Sequence, residues 1–157
     1  MGKIRSVLMV CTGNSCRSVM AEALLKKYLK GYGKSDITVR SAGIRALDGH
    51  LPTGETIEAL KEEGIELKNF KSAAVTGEMV KEADLILAME RIHKYELVRR
   101  FPEAASKIFL LREYAGAKES IKVDDPDVPD PIGMPVSEYK ACMDMIKNNI
   151  ERVAGLL

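Results

Sequence analysis

The sequence predicts an α/β fold, in which parallel strands alternate with helices in a single domain spanning residues 1–157. Short apolar runs alternate with segments of helical periodicity, and this alternation is typical of right-handed βαβ units. The length suits one domain with a hydrophobic core, and 46% hydrophobic with 30% charged residues is ordinary for a globular protein. We find no internal repeat and no interdomain linker in the sequence.

The predicted strands are short apolar runs. They lie at residues 7–10, 37–42, 85–88 and 108–111. The second run alternates only partly between apolar and polar residues, as expected at the edge of a sheet. The third is almost continuously apolar, which indicates burial on both faces.

The predicted helices occupy residues 19–31, 53–63, 76–82, 90–101 and 137–153. Thr53 and Ser137 are predicted caps, and Gly64 is a predicted stop after the second helix. Residues 115–135 are predicted to be irregular. In the fourth helix, the side chains predicted to face inward are Ile92, Tyr95 and Val98. In the last helix, the apolar stripe is predicted to comprise Tyr139, Cys142, Met143, Ile146, Ile150 and Val153.

The segment C-T-G-N-S-C-R-S at residues 11–18 joins the first strand to the first helix. The first N–H groups of a helix lack intrahelical partners and carry the positive end of its dipole, so a loop curled over them binds anions. Cys11 supplies a nucleophile, whose thiolate such surroundings stabilise. Arg17 supplies a planar guanidinium, a fork of two N–H groups that can bind two oxygens of a tetrahedral oxyanion at once. The Walker pattern is absent, so the loop does not bind nucleotides in that way. A thiol and a guanidinium together predict attack on phosphorus.

This segment, extended to V-C-T-G-N-S-C-R-S-x-M-A-E, resembles the signature of the low-molecular-weight protein tyrosine phosphatases. Further similar segments follow in the family's order: S-A-G at residues 41–43, A-D-L-I-L-A-M at 83–89 and V-P-D-P-I-G at 128–133. The resemblance implies a three-layer fold whose four-stranded parallel sheet has the order 2-1-3-4, with helices on both faces. The loop after the first strand would then lie where the strand order switches, which is where such sheets bind ligands.

The resemblance implies hydrolysis of phosphotyrosine in proteins through a cysteinyl-phosphate intermediate. Cys11 would attack phosphorus while Arg17 and the loop N–H groups hold the oxygens. Asp130, in the Asp-Pro-x-Gly context, would protonate the leaving group and then activate water. The substrate-binding residues would be Thr12, Gly13, Asn14, Ser15, Cys16 and Ser18. The expected ligands are a phosphorylated protein or peptide and phosphate or another oxyanion, with no cofactor and no metal.

Two residues of the loop have alternative interpretations. Ser18 is either the helix cap or, as the resemblance implies, a hydroxyl that stabilises the Cys11 thiolate. Asn14 is either a turn residue with left-handed backbone or, as in the family, a brace that bonds to Ser41. Many members have a histidine where this chain has Phe70, so the supporting network is predicted to differ.

Cysteine usage favours a reducing compartment, because three cysteines without zinc-ligand spacing do not form a disulfide framework. The resemblance nevertheless suggests a reversible disulfide between Cys11 and Cys16 that would protect the nucleophile. Cys142 is predicted to lie in the core.

The remaining titratable candidates are predicted to lie on the surface. His50 falls in a polar loop, and His93 falls in a helix that is predicted to be exposed there. Asp124, Asp125 and Asp127 are predicted to belong to a solvated loop, since their spacing does not fit a calcium loop.

The balance of charge excludes several function classes. A net charge of +1 gives no general attraction to nucleic acid or to an anionic membrane. No apolar run approaches membrane-spanning length, and the N-terminus leads into a strand without a signal-peptide pattern. We therefore expect a cytoplasmic monomer.

Two alternative enzyme functions depend on the loop. Ser15 stands where tyrosine-directed members usually have a bulky apolar residue, and Ile132 stands where aromatic side chains often line the cleft. A small hydroxylated residue at position 15 resembles the protein-arginine phosphatase branch. The loop also resembles that of thioredoxin-coupled arsenate reductases, but residues 89–102 lack the relay cysteines that this chemistry needs. A non-catalytic phosphoprotein-binding module is disfavoured because such modules commonly lose the cysteine or the aspartate.

Overall fold

Residues 2–120 and 122–157 are described by a computed structural model of the chain. Four parallel strands form one sheet in the order β2-β1-β3-β4. The strands are β1 Ser6–Cys11, β2 Thr38–Gly43, β3 Leu85–Ala88 and β4 Ile108–Leu110. Both the predicted fold class and the predicted strand order are confirmed.

Helices cover both faces of this sheet. They are α1 Arg17–Gly31, α2 Gly54–Glu62, α3 Gly77–Glu82, α4 Arg91–Arg100, α5 Leu111–Gly116 and α6 Val136–Leu156. Successive side chains of β1 point to opposite faces. Val7 and Met9 pack in the cluster built with α1 and α6, whereas Leu8 and Val10 pack in the cluster built with α3 and α4. Burial on both faces explains why β1 is continuously apolar.

The structure corrects two predictions about the segments that flank β4 and α6. Leu111 begins α5, so part of the region predicted to be irregular is helical; Leu111 and Ala115, four residues apart, are both buried. A short apolar run does not distinguish the end of a strand from the start of a helix. Ser137 is not a cap, because α6 begins at Val136 and Pro135 occupies the capping position. Proline suits a helix start, since its fixed φ costs nothing there.

Other predictions about helix ends are confirmed. The Thr53 hydroxyl accepts the Thr56 N–H at 3.3 Å and caps α2, and Gly64 follows this helix with a φ of +76°. The predicted stripe of α6 is buried along its whole length. In the part of the chain that the structure describes, no helix is long and apolar enough to cross a membrane.

The predicted inward face of α4 is wrong. Ile92 and Tyr95 are exposed and Val98 is half-buried, whereas His93 and Leu97 are buried. His93 and Leu97 are four residues apart, so they lie on the same face of α4, and it is this face that packs against the sheet. The side chain of His93 also bonds to the backbone of Glu90 at the start of the helix.

Candidate active site

The loop between β1 and α1 turns its carbonyl groups outward. The carbonyls of Cys11 and Thr12 accept N–H groups from residues 44 and 45, each at 2.9 Å, and the Ser15 carbonyl accepts the Thr53 N–H at 3.2 Å. Within residues 2–120 and 122–157, no protein group accepts a hydrogen bond from the backbone N–H groups of residues 13–18. An arc of free donors at a helix N-terminus is the arrangement that binds phosphate.

Gly43 allows β2 to approach this loop. A Cβ atom at Gly43 would lie 2.5 Å from the Thr12 carbonyl oxygen and 2.9 Å from the Asn14 nitrogen. Only glycine therefore fits at the end of the S-A-G segment that follows Arg40.

The Cys11 thiol is buried at the end of β1, and its Sγ lies 2.9 Å from the Ser18 Oγ. The Asn14 amide donates to the same Ser18 oxygen at 2.8 Å, so the Ser18 hydroxyl can direct its proton to sulfur and stabilise a thiolate. Ser18 is not the helix cap, because the cap position is Cys16 and no side chain bonds there.

Asn14 combines its two interpretations, since it has a φ of +53° and also braces the loop. Its amide donates to the Ser41 Oγ at 2.9 Å, and its Oδ1 accepts the Ala73 N–H at 3.0 Å. The Ser41 hydroxyl donates in turn to the Glu22 carboxylate at 2.7 Å. The hydrogen-bond chain runs from Asn14 through Ser41 to Glu22, whereas Phe70 packs against the core. Sequence reasoning had not found Glu22.

The Arg17 guanidinium is 2% exposed and is held from several sides. It pairs with the Glu90 carboxylate, donates to the Val128 carbonyl at 2.8 Å and lies 3.5 Å from Asp130 Oδ2. Burial alone would lower the pKa of Arg17, but Cys11, Glu90 and Asp130 raise it overall. The guanidinium is therefore permanently charged and held in a fixed orientation, which is the form of group that suits an oxyanion.

Glu90 is a site residue that the sequence reasoning missed. It follows the buried strand β3 at the carboxyl edge of the sheet, two residues after Ala88. The signal that could have found it is its position, because the ends of neighbouring parallel strands meet at one edge. A carboxylate there meets the arginine that follows β1.

His93 is also part of the site, so the prediction that it lies on the surface is wrong. It is 2% exposed, its Nδ1 accepts the Glu90 N–H at 3.1 Å, and its Nε2 lies 2.7 Å from the Thr12 Oγ1. Burial, helped by the charge of Arg17, lowers the pKa of His93 to about 4. His50 is exposed, as predicted.

The loop that carries Asp130 is anchored to the sheet. The Val128 N–H donates to the Met89 carbonyl at 2.9 Å, and Val128 is fully buried. The Asp130 side chain is 39% exposed and accepts the Ile132 N–H at 3.0 Å. Asp130 thus faces solvent on one side and the Arg17 fork on the other.

Of the other acidic residues in this loop, Asp127 does not fit the predicted solvated loop. It accepts the Arg91 N–H at 2.8 Å and pairs with the Arg91 guanidinium at 3.2 Å. Partial burial acts to raise the pKa of Asp127, but the hydrogen bonds from Arg91 lower it overall. Asp124 and Asp125 are exposed, as predicted.

All three cysteines are free thiols. Cys16 is buried, with its Sγ 3.5 Å from the Thr53 Oγ1 and 3.9 Å from the Tyr139 hydroxyl. Cys142 lies in the core, and burial raises the pKa of its thiol to about 12. A thiol so placed is unsuited to a redox relay. Among the described residues, no cluster of three or more potential ligands could hold a metal ion.

The mouth of the site is lined by small and aliphatic side chains. Ser15 is half-exposed at the loop, and Ile132 is 51% exposed two residues after Asp130. Residues 124–135 contain no aromatic side chain. The segment that carries Asp130 therefore offers no flat ring on which a substrate could stack.

A buried sulfur at the base of an N–H cradle, beside a fixed guanidinium and a carboxyl group, defines a site for cysteine-based phosphoryl transfer. Comparison with known proteins identifies the family. The family model described as low molecular weight phosphotyrosine protein phosphatase matches residues 6–157. The chain belongs to this family of protein phosphatases, for which the cysteine-based mechanism is characteristic.

The chain is similar to members from both branches of the family. It is 39% identical to a protein-arginine-phosphatase of Geobacillus stearothermophilus, covering 96% of this chain and 95% of the relative. It is 32% identical to a probable low molecular weight protein-tyrosine-phosphatase, EpsP, of Ralstonia nicotianae, covering 94% and 92%.

Solved structures agree with this assignment. A mutant of the YwlE arginine phosphatase with a phosphorylated active-site serine superposes with a TM-score of 0.88 at 36% identity, covering 97% of this chain and 95% of that one. The tyrosine phosphatase Wzb from Escherichia coli K30, in complex with sulphate, gives 0.86 at 28% identity, covering 98% and 99%.

Proposed function

We propose that Cys11, Arg17 and Asp130 are the catalytic residues of this phosphatase. The observation that carries the proposal is the contact between the Cys11 Sγ and the Ser18 Oγ, 2.9 Å apart at the base of the loop. A hydroxyl that donates to sulfur favours the thiolate, which is the attacking form. The loop residues Thr12, Gly13, Asn14, Ser15 and Cys16 form the phosphate cradle through their backbone.

The reaction proceeds in two displacements. In the first, Cys11 sulfur attacks phosphorus, a cysteinyl-phosphate forms, and the bond to the leaving group breaks as Asp130 gives that group its proton. In the second, Asp130 takes a proton from water, the water oxygen bonds to phosphorus, and the sulfur leaves as thiolate. Arg17 and the N–H groups hold the equatorial oxygens in both steps.

The first candidate substrate is phosphotyrosine in a protein or peptide. Support comes from the family itself, which is named for this activity. The test is turnover of a phosphotyrosine peptide by the wild-type chain, with Cys11→Ser as a matched variant that keeps the cradle. We expect phosphate release by the wild type only, with inorganic phosphate still binding to Cys11→Ser. Release at the same rate by both would contradict the assignment of Cys11.

The second candidate substrate is phosphoarginine, and Ser15 favours it. A small hydroxyl at the mouth leaves room for a guanidinium and offers it a hydrogen-bond acceptor. The aspartate loop has no ring to stack on a phenyl group. The similarity to protein-arginine-phosphatases supports the same view. The deciding measurement is kcat/KM for phosphotyrosine and phosphoarginine peptides of identical flanking sequence, assayed side by side.

We also propose that the enzyme works in the cytoplasm as a monomer. Its free thiols support a reducing compartment. Cell fractionation tests the location, and light scattering on the purified chain tests the oligomeric state.

A further inference from the structure

His93 and Thr12 form a pair that the reaction scheme above does not use. Thr12 lies next to the nucleophile on the loop, and His93 lies in the first turn of α4, yet the Thr12 Oγ1 and the His93 Nε2 are 2.7 Å apart. The pair joins two elements that are 81 residues apart in the sequence.

The proton positions in this pair follow from its neighbours. The Glu90 N–H donates to the His93 Nδ1 at 3.1 Å, so this nitrogen carries no proton. A neutral imidazole then carries its proton on Nε2. His93 therefore donates to the Thr12 Oγ1, and the threonine oxygen accepts.

Arg17 approaches the same oxygen. Its Nη2 lies 3.4 Å from the Thr12 Oγ1, at the long end of the hydrogen-bond range. A hydroxyl oxygen has two acceptor sites and one proton. With donors on both acceptor sites, the Thr12 hydroxyl proton points away from His93 and Arg17, toward a third group.

The other contacts of Arg17 indicate where this third group lies. The Nη2 that approaches Thr12 also lies 3.5 Å from Asp130 Oδ2. The Thr12 hydroxyl therefore lies close to both the Arg17 guanidinium and the proposed general acid, Asp130. A phosphoryl oxygen bound by this guanidinium would lie within hydrogen-bond reach of the hydroxyl.

We propose that His93 is a positioning residue, which orients the Thr12 hydroxyl so that its proton is donated to an oxygen of the phosphoryl group held by Arg17. This inference rests on the proposed function of the site. It adds a side-chain donor to a cradle otherwise made of backbone N–H groups, and it gives His93 an effect on catalysis without contact with the substrate.

The test compares four single variants and the double variant at Thr12 and His93 on p-nitrophenyl phosphate and on a phosphopeptide. Thr12→Val removes the hydroxyl and keeps the shape, and Thr12→Ser restores the donor. His93→Asn can still accept the Glu90 N–H, because its Oδ1 takes the place of Nδ1, but its side chain is too short to reach Thr12 as Nε2 does. His50→Asn is the matched control on an exposed histidine.

We expect Thr12→Val and His93→Asn each to lower kcat/KM by about tenfold, since one hydrogen bond to a charged group is lost. The double variant should lose little more than either single variant, because both changes remove the same donor. Thr12→Ser should recover most of the activity that Thr12→Val loses, and His50→Asn should stay near the wild type. The inhibition constant of inorganic phosphate should rise in parallel with the loss for Thr12→Val.

Two results would overturn the inference. One is a Thr12→Val variant as active as the wild type, which decides the matter even if His93→Asn fails to fold. The other is a fully additive loss in the double variant, which would mean that His93 acts independently of the Thr12 hydroxyl. If the wild type releases no phosphate from any substrate, the proposed function fails instead.

Discussion

Glu90 pairs with Arg17 across the carboxyl edge of the sheet, although 73 residues separate them in the sequence. The pair holds the guanidinium in one orientation before any anion binds. As the proposed oxyanion ligand, Arg17 is already fixed and loses little conformational freedom when the substrate arrives, so more of its interaction energy is available for catalysis.

Arg17→Lys should lower kcat/KM on the order of 10²-fold or more, because an ammonium group cannot reproduce the two-point contact of the fork. Turnover of p-nitrophenyl phosphate measures this loss. Arg99→Lys is the control, since Arg99 lies on the exposed surface of α4 and should keep the wild-type rate. A mild effect at Arg17 would mean that it is not the oxyanion ligand.

Asp130→Ala should reduce the turnover of substrates with poor leaving groups more than that of activated esters. General acid catalysis contributes on the order of 10²-fold or more where the leaving group needs a proton, so phenyl phosphate should lose far more than p-nitrophenyl phosphate. Asp127→Asn serves as the comparison, because Asp127 bonds to Arg91 and its loss should affect both esters equally. If Asp130→Ala loses the same activity on both esters, another residue must be the general acid.

Buried His93 should make the fold sensitive to acid. Its pKa of about 4 in the folded chain lies below the ordinary value of 6.5, so the unfolded chain binds more protons between these values. Stability contributed by neutral His93 is present above pH 6.5 and is lost as the pH falls toward 4. Between pH 7 and pH 5 the loss should be about 2 kcal/mol.

Urea unfolding at both pH values measures this effect. The difference in unfolding free energy between wild type and His93→Gln should shrink by that amount at pH 5, and His50→Gln should show no such change. A pH-independent difference would show that His93 does not titrate as described.

Ser15→Ile should raise the ratio of phosphotyrosine to phosphoarginine activity. A phenyl ring gains apolar contact from isoleucine, whereas a guanidinium loses a hydroxyl acceptor and meets a steric barrier. An unpaired buried polar group costs roughly 1 to 3 kcal/mol, which corresponds to about tenfold or more in the ratio of kcat/KM. The ratio is measured on matched peptides, with Ser15→Thr as the control that keeps the hydroxyl. If the ratio is the same in Ser15→Ile and in the wild type, the main structural reason for considering phosphoarginine is removed.

Much of the fold could be predicted because its signals are local. The strands are apolar runs, and the cradle is one continuous segment whose Cys11 and Arg17 are fixed by their spacing. Glu90 was missed because its partner Arg17 is 73 residues away in the sequence. His93 was missed because its burial depends on which face of α4 packs against the sheet. The start of α5 was missed because an apolar run of a few residues fits either a strand or a helix.

The anchoring of the aspartate loop has a consequence for the timing of the reaction. Val128 is tied to Met89 and to Arg17, and Asp127 is tied to Arg91 at the start of α4. These contacts already hold the loop of the proposed acid beside Arg17, so we expect that this loop does not have to move before bonds change. Turnover should then be governed by the two chemical displacements, and adding a viscogen such as sucrose should leave kcat nearly constant.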